Sequence, residues 1–211
     1  MATLEELESL VIKGKAKKVT AAVQELIDEG ADPSETLSTM IDAMGVVGEK
    51  FKSGDIFVPE MLVSAKSMKA GVEVLKPYLA SDEVGALGTV IIGTVSGDMH
   101  DIGKNLVAMM IESKGFNVID LGVDVPKEKF VEACEEHPEA KIVALSALLT
   151  TTMDAMAETV KLLNSQSFRD RIRIMVGGAP ITQEFCDSIG ADVFTPDAAS
   201  AAEMAKTLAG A

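Results

Sequence analysis

The chain has 211 residues, enough for one or two domains, and its 47% hydrophobic content supplies material for a sizeable core. Acidic residues outnumber basic ones by 33 to 19, and a net charge of -14 disfavours nucleic acid and anionic membrane surfaces as partners. The opening MATLEELESLV lacks the basic and apolar regions of a signal peptide, and no apolar run approaches the roughly 20 residues that span a bilayer, so a cytoplasmic protein is expected.

From Thr3 to about Leu79 every periodicity is helical. Leu4, Leu7, Leu10 and Val11 form one apolar stripe; Val19, Val23, Leu26 and Ile27 form a second, which Gly30 ends. Asp32-Pro33 restarts the chain with an N-cap and a proline at the first helical position. Leu37, Met40, Ile41, Met44, Val47 and Phe51 line a third helix, broken at Ser53-Gly54-Asp55, and Met61, Leu62, Ala65, Met68, Val72 and Leu75 line a fourth. Four amphipathic helices with short connections predict a small antiparallel bundle over residues 1–84, with the methionines as core filler. The polar connector ASDEVGALG, residues 80–88, marks the expected domain boundary.

Strands and helices then alternate. Apolar runs at 89–94, 117–121, 141–147, 172–177 and 192–195 are separated by helical patterns at 105–114, near 127–136, at about 152–165, near 181–189 and from Ala198 onward. This predicts, over residues 88–211, a five-stranded parallel sheet covered by helices on both faces, in the flavodoxin-like order 2-1-3-4-5. In that order the loop after strand one, Ser96-Gly97-Asp98-Met99-His100-Asp101-Ile102-Gly103-Lys104-Asn105, faces the loop after Ala147, and Gly177-Gly178 lies next along the same edge. Cys134 and Cys186 are too few for a disulfide framework, and Cys134-Glu-Glu-His137 reads as part of a surface helix, not as a metal site.

That edge does not read as a nucleotide site. Gly93, Gly97 and Gly103 are too widely spaced for a dinucleotide fingerprint, and Gly97 and Gly103 enclose five residues where a P-loop has four. A receiver domain would carry an aspartate where this chain has Ser146. What remains is an imidazole on a Gly-flanked loop with a carboxylate two residues before it, close enough to take its second N–H. That pairing fixes a tautomer and raises ligand basicity, though a surface histidine beside a helix-capping aspartate has the same local sequence.

Taken together, Asp98-x-His100-x-x-Gly103, Ser146-x-Leu148 and Gly177-Gly178, in this order, resemble the three-part signature of proteins that bind cobalamin with its dimethylbenzimidazole displaced. The helical half, including Phe51-Lys-Ser-Gly-Asp-Ile-Phe57-Val58-Pro59-Glu60-Met61, is similar to the cap of the methyl-transferring branch. Nearly the whole chain resembles the free-standing corrinoid proteins of the methanol, methylamine and quaternary-amine methyltransferase systems of anaerobes, with GDMHDIGKN and SALLTTTMDAM most similar to the methylamine group.

The resemblance implies a base-off, His-on cobalamin or related corrinoid with His100 as the lower axial ligand to cobalt. Asp98 would hold the other ring nitrogen and Thr152 would hydrogen-bond Asp98. Gly97, Met99 and Asp101 would belong to the cofactor-binding loop, and Gly103 would leave room for the displaced nucleotide tail. Ser146 and Leu148 would line its slot, Thr150 would add a polar contact, and Gly177-Gly178 would let strand four approach it. In the cap, Phe51 and Val58 would lie over the methyl-bearing face, and the connector with Gly85 and Gly88 would act as a hinge. The implied function is a methyl carrier cycling between Co(I) and methyl-Co(III), without turnover of its own. It would take the group from a methylamine-type or betaine-type donor on a substrate-specific methyltransferase, deliver it through a second methyltransferase to a thiol or tetrahydrofolate, and be serviced by a reductive activase. An adenosylcobalamin mutase subunit and a cobalamin-sensing regulator share the signature, but the helical half argues against the former and the acidic composition against a DNA-reading version of the latter.

Overall fold

The computed structural model describes residues 2–78 and 87–210, and these divide into two compact units. The first carries four helices, α1 (Leu4–Ile12), α2 (Ala16–Asp28), α3 (Pro33–Ser53) and α4 (Val58–Leu75), together with Glu112–Gly115. Each start has a local cause: the Thr3 hydroxyl accepts the Glu6 N–H at 3.1 Å, and the Asp32 carboxylate accepts the Ser34 N–H at 2.9 Å with Pro33 in the first turn. The stripes meet in one core. Leu7, Val11, Val19, Val23, Met40, Met44, Met61, Met68 and Leu75 are all buried, so the methionines are packing residues. Helix α4 packs on the other three, and hydroxyls of Ser64 and Ser67 donate to the carbonyls of Ile12 (2.8 Å) and Val11 (3.2 Å) at the end of α1. The acidic balance has a local exception at the α1–α2 junction, where Lys13, Lys15, Lys17 and Lys18 are all exposed.

The second unit is a five-stranded parallel sheet in the order β2-β1-β3-β4-β5: β1 (Thr89–Thr94), β2 (Asn117–Asp120), β3 (Ala140–Ser146), β4 (Arg173–Gly177) and β5 (Val193–Phe194). Five helices accompany it: α5 (Ile102–Glu112), α6 (Lys127–Glu136), α7 (Met153–Asn164), α8 (Gln183–Ile189) and α9 (Ala198–Ala209). Central β1 is buried along its whole length while β2, at the edge, is not, as strands with two and one neighbours require. Helix α5 begins at Ile102, three residues before the Asn105 start that periodicity predicts, because apolar spacing is blind to a first turn set by backbone bonds such as Asn105 N–H to the Asp101 carbonyl, 2.7 Å. Gly103 therefore lies inside the helix. A three-residue turn of 3-10 helix, Thr150–Thr152, likewise precedes α7.

The reading of Cys134 as part of a surface helix is corrected: α6 turns Phe130, Ala133 and Cys134 into the core, and burial pushes the Cys134 thiol up to about 11. Neither cysteine is bonded, and no cluster of three metal-ligand side chains occurs among the described residues. No helix of the described residues is long and apolar enough to cross a membrane. Of the connector, Gly85 lies outside the described residues.

Candidate functional site

Four loops at the carboxyl ends of β1, β2, β3 and β4 build the site. In the 2-1-3 order the connections after β1 and β3 leave in opposite directions, and a crevice at the carboxyl ends of the strands is expected at that point. After β1 the chain makes a tight turn, with Asp98 N–H donating to the Val95 carbonyl at 3.2 Å and Gly97 in a left-handed conformation, φ 81°. The turn drives the Asp98 side chain inward, to 0% exposure, while the His100 side chain stays 50% exposed. The buried Thr94 hydroxyl donates to the His100 carbonyl at 2.9 Å and holds the loop from beneath.

Asp98 uses both oxygens. Oδ1 receives the His100 N–H at 3.1 Å and His100 Nδ1 at 2.7 Å. Oδ2 receives the Leu148 N–H at 2.6 Å, the Thr152 hydroxyl at 2.9 Å and, more distantly, the Leu149 N–H at 3.4 Å. Burial works against the ionised carboxyl, but the donated bonds from Leu148, His100 and Thr152 outweigh it and hold the group well below the usual carboxylate range. An ionised carboxylate only accepts, so Nδ1 of a neutral His100 carries the proton and Nε2 keeps its lone pair for a ligand. The His100 loop and the loop after β3 also carry exposed apolar side chains: Met99 at 70%, Ile102 at 85%, Leu148 at 41% and Leu149 at 40%.

Ser146 ends β3 in register with Thr94 and Gly177, and its carbonyl accepts the Val95 N–H at 3.0 Å. Gly178 follows β4 with φ 132°, and a Cβ placed there would sit 1.8 Å from the Ala147 carbonyl oxygen, so only glycine lets these two backbones touch. A Cβ on Gly103, by contrast, would meet nothing within 4 Å. Asp101 is exposed, its carboxylate accepting from Asn105 Nδ2 at 3.2 Å, and Thr150 is exposed. Gly97, Asp98, Met99, His100, Ser146, Leu148, Thr152, Gly177 and Gly178 are thus gathered at one sheet edge. Phe51 and Val58 belong to the helical unit, at the end of α3 and the start of α4, where Val58 is 39% exposed and its neighbour Phe57 is 68% exposed.

Several contributors escape sequence reasoning. Ile102 and Leu149 carry an apolar signal, since large exposed side chains at a helix start and a loop are unusual, but Thr94, Asp124 and the Lys104-Asp120 pair act through strand adjacency that no spacing reveals. The Lys104 side chain is 2% exposed, and its Nζ donates to Asp120 Oδ1 and Asn105 Oδ1, both at 2.7 Å.

Comparison with known proteins agrees with both halves of this description. A B12 binding domain family matches residues 88–205 and a second B12 binding domain family matches residues 3–76. The dimethylamine corrinoid protein 2 of Methanosarcina acetivorans is 42% identical over 207 residues, covering 97% of this chain and 95% of the relative. Among solved structures, a chain of the methanol:cobalamin methyltransferase complex MtaBC from Methanosarcina barkeri superposes with a TM-score of 0.87 at 30% identity, covering 98% of this chain and 79% of that one. A cobalamin-binding protein from Desulfitobacterium hafniense DCB-2 gives 0.79 at 30% identity, covering 98% of both. With the sheet, the paired Asp98 and His100 and these similarities in place, the chain belongs to the family of B12-binding corrinoid proteins.

Proposed function

We propose that the chain is a corrinoid methyl carrier, and the observation that carries this reading is the half-exposed His100 ring whose Nδ1 is held at 2.7 Å by a buried carboxylate. The residues present fit cobalamin with its own base displaced. His100 offers one nitrogen in a fixed tautomer, Met99, Ile102, Leu148 and Leu149 offer apolar contact, and the open space at Gly103 admits a neighbouring group. His100 would hold the cobalt; Gly97, Met99, Asp101, Gly103, Ser146, Leu148, Thr150, Gly177 and Gly178 would contact the rest of the corrinoid; Phe51 and Val58 would shield it from water. Residues 1–84 would serve as cap and residues 88–211 as the cobalamin-binding domain. Bound cobalamin supplies a cobalt centre able to accept a methyl group and release it. Within the protein, Asp98, itself held by the Thr152 hydroxyl, keeps the proton on Nδ1 and would tune the basicity that Nε2 offers to a bound metal.

The relatives named for dimethylamine and trimethylamine support a methylamine-type donor over a betaine-type one. Such a carrier would call for a substrate-specific methyltransferase, a second methyltransferase that moves the group onto a thiol or tetrahydrofolate, and a reductive activase. The helical unit favours this carrier over a mutase subunit. Two free, buried cysteines support a cytoplasmic setting.

Electron paramagnetic resonance of the protein reconstituted with cob(II)alamin tests the reading. A nitrogen superhyperfine triplet that becomes a doublet with isotope-labelled histidine is expected; a colourless product, or a spectrum indifferent to the label, refutes it. Gly103→Ala offers an independent check. Removing a glycine from a helix should stabilise the apoprotein by about 0.5–1 kcal/mol, while the added methyl occupies the space assigned to the tail and weakens cobalamin binding. Unaltered affinity in a stabilised variant would remove Gly103 from the slot.

A further inference from the structure

We infer that Asp124, which lies outside the relay and outside every sequence motif, is the positioning residue that aims Asp98 and His100. The link to cobalt rests on the function proposed above; the clamp on the loop does not. Asp124 grips the Val95–Asp98 turn from two sides. Its Oδ1 accepts the Gly97 N–H at 2.7 Å and the Ser96 hydroxyl at 3.4 Å, while its own N–H donates to the Asp98 carbonyl at 2.9 Å. To make both kinds of bond, Asp124 takes a left-handed backbone, φ 52°, the one such non-glycine among the described residues. Aspartate and asparagine tolerate that conformation better than other side chains, yet it persists only where its surroundings enforce it.

The enforcement is visible along the strand ends. Val125 N–H donates to the Thr94 carbonyl and Thr94 N–H to the Gly122 carbonyl, each at 3.0 Å, which fixes the Asp124 loop against β1. At the far end of the His100 loop, buried Lys104 reaches Asp120, whose Oδ1 also accepts the Gly122 N–H at 2.8 Å. The segment from Asp120 to Val125 therefore holds the His100 loop at its entry, Gly97, and at its exit, Lys104. His100 needs this support because half its side chain faces solvent and packing alone does not orient it. Its orientation comes from Asp98, and the backbone of Asp98 is set by the turn that Asp124 grips.

The apoprotein tests this without cofactor. With only two histidines in the chain, ring nitrogen-proton correlations of nitrogen-labelled protein at about pH 8, above the ordinary histidine range, report His100 with His137 as an internal control. Wild type should show His100 as a single Nδ1–H tautomer. Asp124→Ala should show mixed tautomers and amide exchange at Gly97 faster by about tenfold or more. Asp124→Gly, which keeps the backbone freedom but loses the acceptor, should match Asp124→Ala and guards against a variant that merely fails to fold. Asp124→Asn, which keeps both, should restore the wild-type pattern. In cob(II)alamin-loaded protein, the alanine and glycine variants should lose at least half of the histidine nitrogen splitting. A single tautomer and unchanged Gly97 exchange in Asp124→Ala and Asp124→Gly would overturn the clamp, as would failure of Asp124→Asn to restore them. A wild-type cobalt spectrum without histidine nitrogen would refute the corrinoid reading, with the clamp still decided by the tautomer data.

Discussion

Asp98→Ala is expected to lower the unfolding free energy by about 2–4 kcal/mol, because a buried acceptor for several donors cannot be deleted without stranding at least one of them. His100, half exposed, can turn to water, and the Thr152 hydroxyl has the Leu149 carbonyl within 2.9 Å as an alternative acceptor. The Leu148 N–H, now 2.6 Å from Oδ2, loses its acceptor. The same carboxylate makes stability depend on pH. Its folded-state pKa lies below the unfolded value of about 3.9, so its contribution is complete above that value and is lost as pH falls beneath it. Asp98→Asn lacks that proton-linked contribution. The urea midpoint of wild type minus that of Asp98→Asn should therefore shrink as pH falls below about 4. Far-UV circular dichroism is the suitable probe, since the chain has no tryptophan and one tyrosine. A midpoint difference that widened between about pH 4 and pH 2 would contradict this account of Asp98.

Gly178→Ala should be at least as damaging, by about 3–5 kcal/mol, since it combines a φ of 132° that L-residues rarely adopt with a methyl group 1.8 Å from a backbone oxygen. The Ala147 carbonyl cannot swing aside like a long side chain. It belongs to the segment whose next residue donates from Leu148 to Asp98, so the displacement should reach the relay as well as the slot. Gly177→Ala provides the comparison: its Cβ would stop 3.2 Å from the Thr195 carbonyl, and a cost of about 1 kcal/mol is expected there. Urea unfolding of both variants, with cobalamin retention on gel filtration, separates them. Equal stability of the two would show that the close approach at Gly178 is relieved by local movement.

Much of the fold is written in local pattern. The alternation of apolar runs and helical stripes yields the five strands of the described residues within about two residues and their nine α-helices, and most of the bundle stripe residues from Leu7 to Leu75 become its core, while Leu10, Ile27, Ile41, Leu62 and Val72 are only half-buried at its margin. Errors fall where backbone bonding, not side-chain periodicity, sets the boundary, as at Ile102. They also fall where a helix buries one face against the sheet, as at Cys134. At the site, the contact between Asp98 and His100 is legible because two residues on one turn must be neighbours whatever the rest of the chain does.

Bonds that join distant segments are of another kind. Thr152 meets Asp98 across 54 residues, Leu148 across 50, and Asp124 meets Gly97 across 27, and each pairing exists only because β1 lies between β2 and β3. Periodicity, caps and loop glycines are short-range properties and so could be read from residue order: the helices, the strands and the histidine loop. The burial that makes Asp98 a strong acceptor, the contact that forbids a side chain at Gly178 and the grip of Asp124 on the turn arise from strand ends brought side by side. Only folding in three dimensions creates those neighbours.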